Sequence, residues 1–339
     1  MSNAFGPPSG PGSYDAGTGQ SSAVHAASMA TAAGRTVGGG SAPGGGAGDI
    51  NTQRVGGLWS DAWHDLRRRP LFVIAGVVIV VILVVAAFPG LFTSKDPTAG
   101  NLEFSNQGPS GGAWFGYDLQ GYDVYARTIY GARYSIIVGS LATLSTTLFG
   151  MAYGVLSAYY GGWLDGLLSR IGDVFLGIPF VLGAIVILTT FNTSNSTVVI
   201  VTLVVLSLAV LGWPVPARIM RSSIIQAKGA DYVAAARSMG ASTPRIIFKH
   251  LLPNALAPSL VYATISLGAF IGAEATLSYL GIGLRSPVVS WGVMISDSQR
   301  YLRVAPHSLL FPAFFLVVTV LAFVMMGDAV REALDPKLR

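Results

Sequence analysis

Six long apolar runs dominate the chain from residue 71 onward, at 71–92, 135–158, 174–191, 197–220, 256–273 and 309–326. Each has the length of about 17–25 residues that carries an α-helix across a hydrocarbon core. None alternates with the period of two that marks a half-buried strand. The pattern predicts an all-α polytopic membrane protein with six transmembrane helices. Pro179, Gly183 and Pro214 interrupt the runs, which a membrane helix tolerates when its neighbours satisfy the freed backbone. Gly150 and Gly154 form a small-xxx-small pair that lets two helices approach closely.

Polar residues divide the rest. Residues 1–56, rich in Gly, Ser, Ala and Pro, carry almost no large aliphatic side chains, too few to offset chain entropy, and read as a disordered tail. They also lack the charged start and immediate apolar core of a secretion signal. Over 57–70 an interfacial amphipathic helix is expected: Trp59, Trp63 and Leu66 recur on one face, with Asp61, His64 and Asp65 on the other. The first span and an outer segment then occupy 71–133, a five-helix core 134–327 and a polar tail 328–339.

Charge fixes an orientation. Only 11% of the residues are charged and 52% are hydrophobic, against about 25% charged in soluble domains. The net charge of +5 does not form a nucleic-acid stripe, because the basic residues sit between the apolar runs. If 67–69, all Arg, anchor the first run on the cytoplasmic side, fifteen of the 21 Lys and Arg fall inside and six outside. That is the positive-inside bias, and it predicts both termini on the cytoplasmic side of a bacterial plasma (inner) membrane.

The runs themselves are almost uncharged, since Asp173 and Glu274 lie at segment ends. Ion-coupled transporters place ionisable groups near mid-membrane, so the driving energy is expected from elsewhere. No Lys follows a Gly, so no phosphate-binding loop is present. There are no Cys, and the four His, at 25, 64, 250 and 307, lie outside the runs. An intramembrane hydrolase would need a nucleophile and base within the bilayer. A channel would need a ring of acidic residues or a filter motif. Neither pattern occurs.

Between the fourth and fifth runs lies AKGADYVAAARSMGASTPRIIFKHLLPNALAP. Asp231 is expected to cap a short helix through Tyr232–Met239, with Gly240 as its left-handed terminator. Thr243 as cap and Pro244 in the first turn are expected to start a second helix. Ala234, Ala235 and Ala236 give a slim surface that a partner's groove can enclose, although an Ala run is also simply a strong helix former.

These residues resemble the cytoplasmic "EAA" loop of binding-protein-dependent ABC importer permeases: Glu-Ala-Ala, three residues, Gly, nine residues, Ile, one residue, Leu-Pro. Ala234, Ala235, Ala236, Gly240, Leu252 and Pro253 fall on the pattern, with Ala234 in place of Glu and His250 in place of Ile. WFGYDLQGYDVYARTIYGARYSIIVG, from Trp114 to Gly139, is similar to the segment before the second span in dipeptide, oligopeptide and nickel permeases. Tyr117, Tyr122 and Ala126 replace that family's Thr, Arg and Ser. GGWLD, LSYLGIGLRSP, SWG, YLRVAP and the ending LDPKLR follow in order, so the resemblance covers 58–339 and is closest to C-type permeases.

The resemblance implies a type I importer permease fold in which the loop between helices 4 and 5 is a coupling helix docked on an ATPase. Asp231, Ala234, Ala235, Ala236, Arg237, Gly240, Leu252 and Pro253 are the expected contacts. It also implies a B-type permease as heterodimer partner, two ATPase subunits that bind the ATP and Mg, and an extracytoplasmic substrate-binding protein. The chain itself would hold no cofactor, and its cargo would be peptides, with nickel or haem as alternatives. On the outer side, Asp118, Asp123, Arg127 and Arg133 either meet the binding protein or pair with one another in a folded cap. Glu274, near the end of the fifth run, is either functional or an interfacial hydrogen-bonding residue.

Overall fold

The computed structural model describes residues 66–191 and 196–334. Among them every regular element is helical, with two isolated β-bridges in the segment before α2. The helices are α1 (Pro70–Ala87), α2 (Val124–Tyr160), α3 (Gly162–Gly177), α4 (Phe180–Phe191), α5 (Thr197–Gly212), α6 (Pro214–Lys228), α7 (Asp231–Ser238), α8 (Leu252–Tyr279), α9 (Trp291–Ser298) and α10 (His307–Leu334). Four unbroken stretches are long and apolar enough to cross a membrane: α1, α2, Thr243–Tyr279 and α10. Two bent pairs, α3 with α4 at 85° and α5 with α6 at 46°, bring the number of candidate spans to six.

The bends are where proline puts them. Pro179 follows Ile178, whose extended backbone (ψ 121°) ends α3, because the proline ring crowds the residue before it and disfavours the helical region there. Pro214 instead opens α6, where its missing N–H is no loss. So the third run, expected as one rod, is two helices nearly at right angles, and α3 lies across the direction of α4. The first run likewise stops at Ala87: Phe88, ahead of Pro89, leaves the helix (φ −127°, ψ 59°) and a short 3-10 turn follows.

Several helices exceed their apolar runs, α2 and α10 among them. α2 starts at Val124, capped by the Asp123 side chain, and its 37 residues extend about 55 Å. α10 continues to Leu334, into the stretch expected as tail. The extension is held because Ala329 and Ala333 bury against Leu66, while Arg69 pairs with Glu332. The remainder of the expected interfacial helix, 57–65, lies outside the described residues, as do 1–56 and 335–339.

Packing makes α2 the spine. One apolar cluster joins α2 to α4, α5 and α8 through Val138, Leu188, Leu208 and Phe270. A second joins it to α1, α8 and α10 through Ile82, Ile136, Ile271 and Phe323. Against α6 the approach is backbone to backbone. A Cβ on Gly150 would lie 2.7 Å from the Trp213 carbonyl oxygen, and one on Gly154 2.4 Å from that of Ala217. The small-residue pair is thus the contact itself. The apolar side chains left outside, among them Leu71, Val77, Val80, Leu144 and Leu148, are exposed as lipid-facing positions require.

Candidate functional site

The α7 segment is built from a short helix and a turn. Ala230 is the N-cap, with extended backbone, and Asp231 occupies the first turn without a side-chain capping bond. Its carboxylate therefore acts on the helix dipole rather than as the cap expected of it. At the other end the Gly240 N–H donates to the Arg237 carbonyl and the Ala241 N–H to that of Ala236, at 3.0 and 3.1 Å. This is a Schellman closure, and it requires the left-handed φ of +77° at Gly240. The next turn begins one residue earlier than expected: Ser242 is the N-cap, and Thr243 and Pro244 are already helical.

Between that turn and α8 the chain forms a π-helix, Ile246–Leu251. Pro253 has no N–H to give the Lys249 carbonyl, and its ring crowds the turn before it. The helix widens in response, and the Leu252 N–H reaches the Ile247 carbonyl. His250 lies in this widened turn, with its carbonyl accepting from Asn254 Nδ2 at 2.7 Å. Nothing in the apolar period signals the widening; Pro253 is the one visible sign.

α7 has two faces. Val233 and Ala236 are buried, Val233 in the cluster formed by Val155, Met220, Ile224, Ile246 and Leu251. Ala234, Ala235, Arg237 and Gly240 are exposed, beside Tyr232 at 42% and Met239 at 80% exposure. Ala236, expected as a contact, thus packs inward, while Tyr232 and Met239, not singled out in the sequence, face outward. Leu252 is half-buried and Pro253 exposed. The segment is tied to α2: Lys228 Nζ caps the Tyr159 carbonyl at 2.6 Å and lies 5.5 Å from its ring, and the Tyr159 hydroxyl donates to Thr243 Oγ1 at 3.2 Å. Arg221 holds Asp165 through Nε, at 2.6 Å, and Nη2.

At the opposite end of α2 the charged residues turn inward. Asp118 Oδ1 accepts from the Gln120 and Tyr122 N–H groups, and its Oδ2 pairs with Arg127 at 2.8 Å. Arg127 also lies 4.6 Å from the Tyr122 ring centroid and 3.9 Å from Asp297. Asp123 accepts from the Ala126 N–H and from Lys95 Nζ, at 2.9 and 2.6 Å. Asp118, Asp123 and Arg127 are all buried, so they fold a cap rather than present a charged surface. Arg133 is exposed. Glu274 is fully buried and accepts from Ser278 at 2.8 Å, Ser290 at 3.1 Å and Ser135 at 3.3 Å. Among the described residues no three His, Cys, Asp or Glu side chains gather as a metal site.

Comparison with known proteins decides the family. A model described as the binding-protein-dependent transport system inner membrane component matches residues 147–339, more than half of the chain. The chain is a member of that permease family. A second model, the N-terminal transmembrane domain of oligopeptide transport permease C, matches residues 57–109 of the permease and assigns it to the C type. The permease is 38% identical over 281 residues to the dipeptide transport system permease protein DppC of Alkalihalophilus pseudofirmus, covering 83% of this chain and 90% of that protein. It is 38% identical over 282 residues to the oligopeptide transport system permease protein OppC of Bacillus subtilis, at 83% and 90% coverage. A chain of the MetNI methionine ABC transporter has the same fold, with a TM-score of 0.50 and 21% identity over 61% of the permease and 96% of that chain. The permease is therefore a multi-pass membrane subunit of an ABC importer, with the type I fold.

Proposed function

We propose that the permease is the C-type half of a peptide importer and takes up the work of ATP hydrolysis through α7. It pairs with a B-type permease in a bacterial plasma membrane, with both termini cytoplasmic. Two ATPase subunits bind the ATP and Mg, and an extracytoplasmic binding protein delivers the cargo. The chain carries out no bond chemistry and holds no cofactor of its own.

One observation carries the coupling role. α7 buries one face in the helix bundle and leaves a narrow exposed ridge of Ala234 and Ala235, flanked by Tyr232, Arg237 and Met239. A helix that slim enters a groove on another protein, and Met239 is a flexible apolar side chain suited to filling it. With Ala234 standing where the family has Glu, docking rests on shape and on Arg237 and Asp231. Leu252 and Pro253 set the direction in which α8 leaves the loop, by way of the π-helical turn. Peptide cargo is supported by the names of the relatives, which include dipeptide, oligopeptide and, in Escherichia coli, glutathione permeases.

The test is ATP hydrolysis by the four-subunit complex in liposomes. Ala235→Trp fills the ridge without touching the buried face and is expected to lower binding-protein-stimulated hydrolysis by about tenfold or more, the scale of losing one central contact. Gly240→Leu, strained at φ +77° though its Cβ meets open space, is expected to do the same. Unchanged hydrolysis and unchanged co-purification of the ATPases in both variants would refute the assignment. Ligands eluted from the cognate binding protein decide the cargo, and a metal or haem in place of peptide would correct it.

A further inference from the structure

Glu274 lies five residues from the end of α8, fully buried, and among the described residues it forms no salt bridge. A lone buried carboxyl is costly unless every acceptor site is used. Here the donors are three serine hydroxyls from separate stretches: Ser135 on α2, Ser278 at the end of α8, and Ser290, the N-cap of α9. Each hydroxyl in turn accepts from a backbone N–H of the segment that follows α8. Leu284 donates to Ser278 at 2.9 Å, Trp291 to Ser135 at 3.3 Å and Val293 to Ser290 at 3.2 Å. With an acceptor site of each serine occupied, its proton is directed to Glu274, so three backbone amides converge through three hydroxyls on one carboxyl group.

The same segment is fastened elsewhere to the same two helices. Trp291 Nε1 donates to the Thr128 carbonyl of α2 at 2.9 Å, and Ser296 to the Tyr279 carbonyl of α8 at 3.1 Å. A Cβ on Gly292 would lie 2.7 Å from Ala275 Cα, so α9 rests on the α8 backbone. α2 and the continuous stretch Thr243–Tyr279 also reach the α7 segment, joined there by Tyr159 and Thr243, beside α6, whose Met220 and Ile224 pack on Val233.

We propose that Glu274 is a positioning residue for transport: it locks α9 onto the α2–α8 pair, so that displacement of the α7 segment reaches the far side of the membrane as movement of α9. What moves with it is the exposed turn after α9, Gln299, Arg300, Leu302 and Arg303. This rests on the coupling role proposed for α7. The hub removes the freedom by which α9 could lag behind its supporting helices, and the rods deliver the motion.

The chain has no Cys, so single pairs of labels can be placed cleanly. Spin labels at Arg133→Cys on α2 and Gln299→Cys beside α9, both exposed, are measured in the complete transporter with and without trapped ATP. A single narrow distance, unchanged between the two states, is expected. In Glu274→Leu the distribution is expected to become about twice as wide. Binding-protein-stimulated hydrolysis is expected to fall about tenfold, with partial recovery in Glu274→Asp. The inference alone is overturned if the parent pair moves by about 5 Å or more between states while stimulation is intact, or if Glu274→Leu leaves width and stimulation unchanged. Should the variant fail to assemble, the parent distances still decide. A parent complex with no stimulated hydrolysis overturns the importer reading, and this inference with it.

Discussion

Asp297 faces Arg127 at 3.9 Å from the last turn of α9, with Asp118 already holding that guanidinium at 2.8 Å. Partial burial withdraws water from its carboxyl and raises its pKa; Arg127 pulls the value down and Asp118 pushes it up. A carboxyl whose folded-state pKa is raised adds stability below the unfolded range and loses that contribution as pH rises through the folded value. At about pH 7 the charged Asp297 is therefore a small cost. Asp297→Asn is expected to raise the Tm in detergent by about 1–2 °C at neutral pH, a difference that shrinks as pH falls through the carboxyl range. A lower Tm at neutral pH would mean that the Arg127 contact outweighs burial. Residues of this kind were poorly legible in the sequence. Asp118, Asp123 and Arg127 are close in the chain, so their mutual pairing was one of two readings. For Glu274, only Ser278 stands at helical spacing; Ser135 and Ser290 arrive from 139 and 16 residues away.

At the scale of elements, glycine separates contact from flexibility. Gly154 has the Ala217 carbonyl oxygen 2.4 Å from where a Cβ would sit, whereas Gly272, also inside a helix, has nothing within 4 Å. Gly154→Ala is expected to separate α2 from α6 and lower the Tm by several degrees, the cost of overpacking being about 1–3 kcal/mol. Gly272→Ala is expected to be neutral or to raise it, since Ala is favoured over Gly in a helix by about 0.5–1 kcal/mol. Thermal unfolding of the two variants side by side checks both; equal losses would show that the α2–α6 approach is not set by residue size. The apolar runs placed the spans well because lipid leaves the backbone no choice but helix. They did not reveal that α3 turns across α4, since hydropathy is continuous through the kink and only Pro179 marks it. The extension of α2 to Val124 was hidden for the opposite reason: its first turns are polar, and their burial comes from the cap folded over them.

Across the whole molecule, the two ends differ in what they expose. The α7 end carries Tyr232, Met239 and Phe248 outward on surfaces flanked by Arg237, Arg245 and Lys249. The other end is a compact cap in which Phe115 stacks on Phe311 at 3.9 Å and His307 Nε2 lies 3.0 Å from the Tyr117 carbonyl. Placing the α7 end in the cytoplasm puts fifteen of the 21 basic residues there, and membrane insertion retains Lys and Arg on that side. The proposed coupling to ATPases has the same requirement, because ATP is cytosolic. With no native Cys, the orientation is read by single substitutions. Met239→Cys samples the α7 ridge, and Gly108→Cys samples the cap at a position where a side chain meets open space. On intact cells a membrane-impermeant thiol reagent is expected to label Gly108→Cys and spare Met239→Cys; in inside-out vesicles the pattern reverses. Labelling of Met239→Cys from outside would put the ridge beyond the reach of any ATPase and remove the coupling role, whatever the family of the chain.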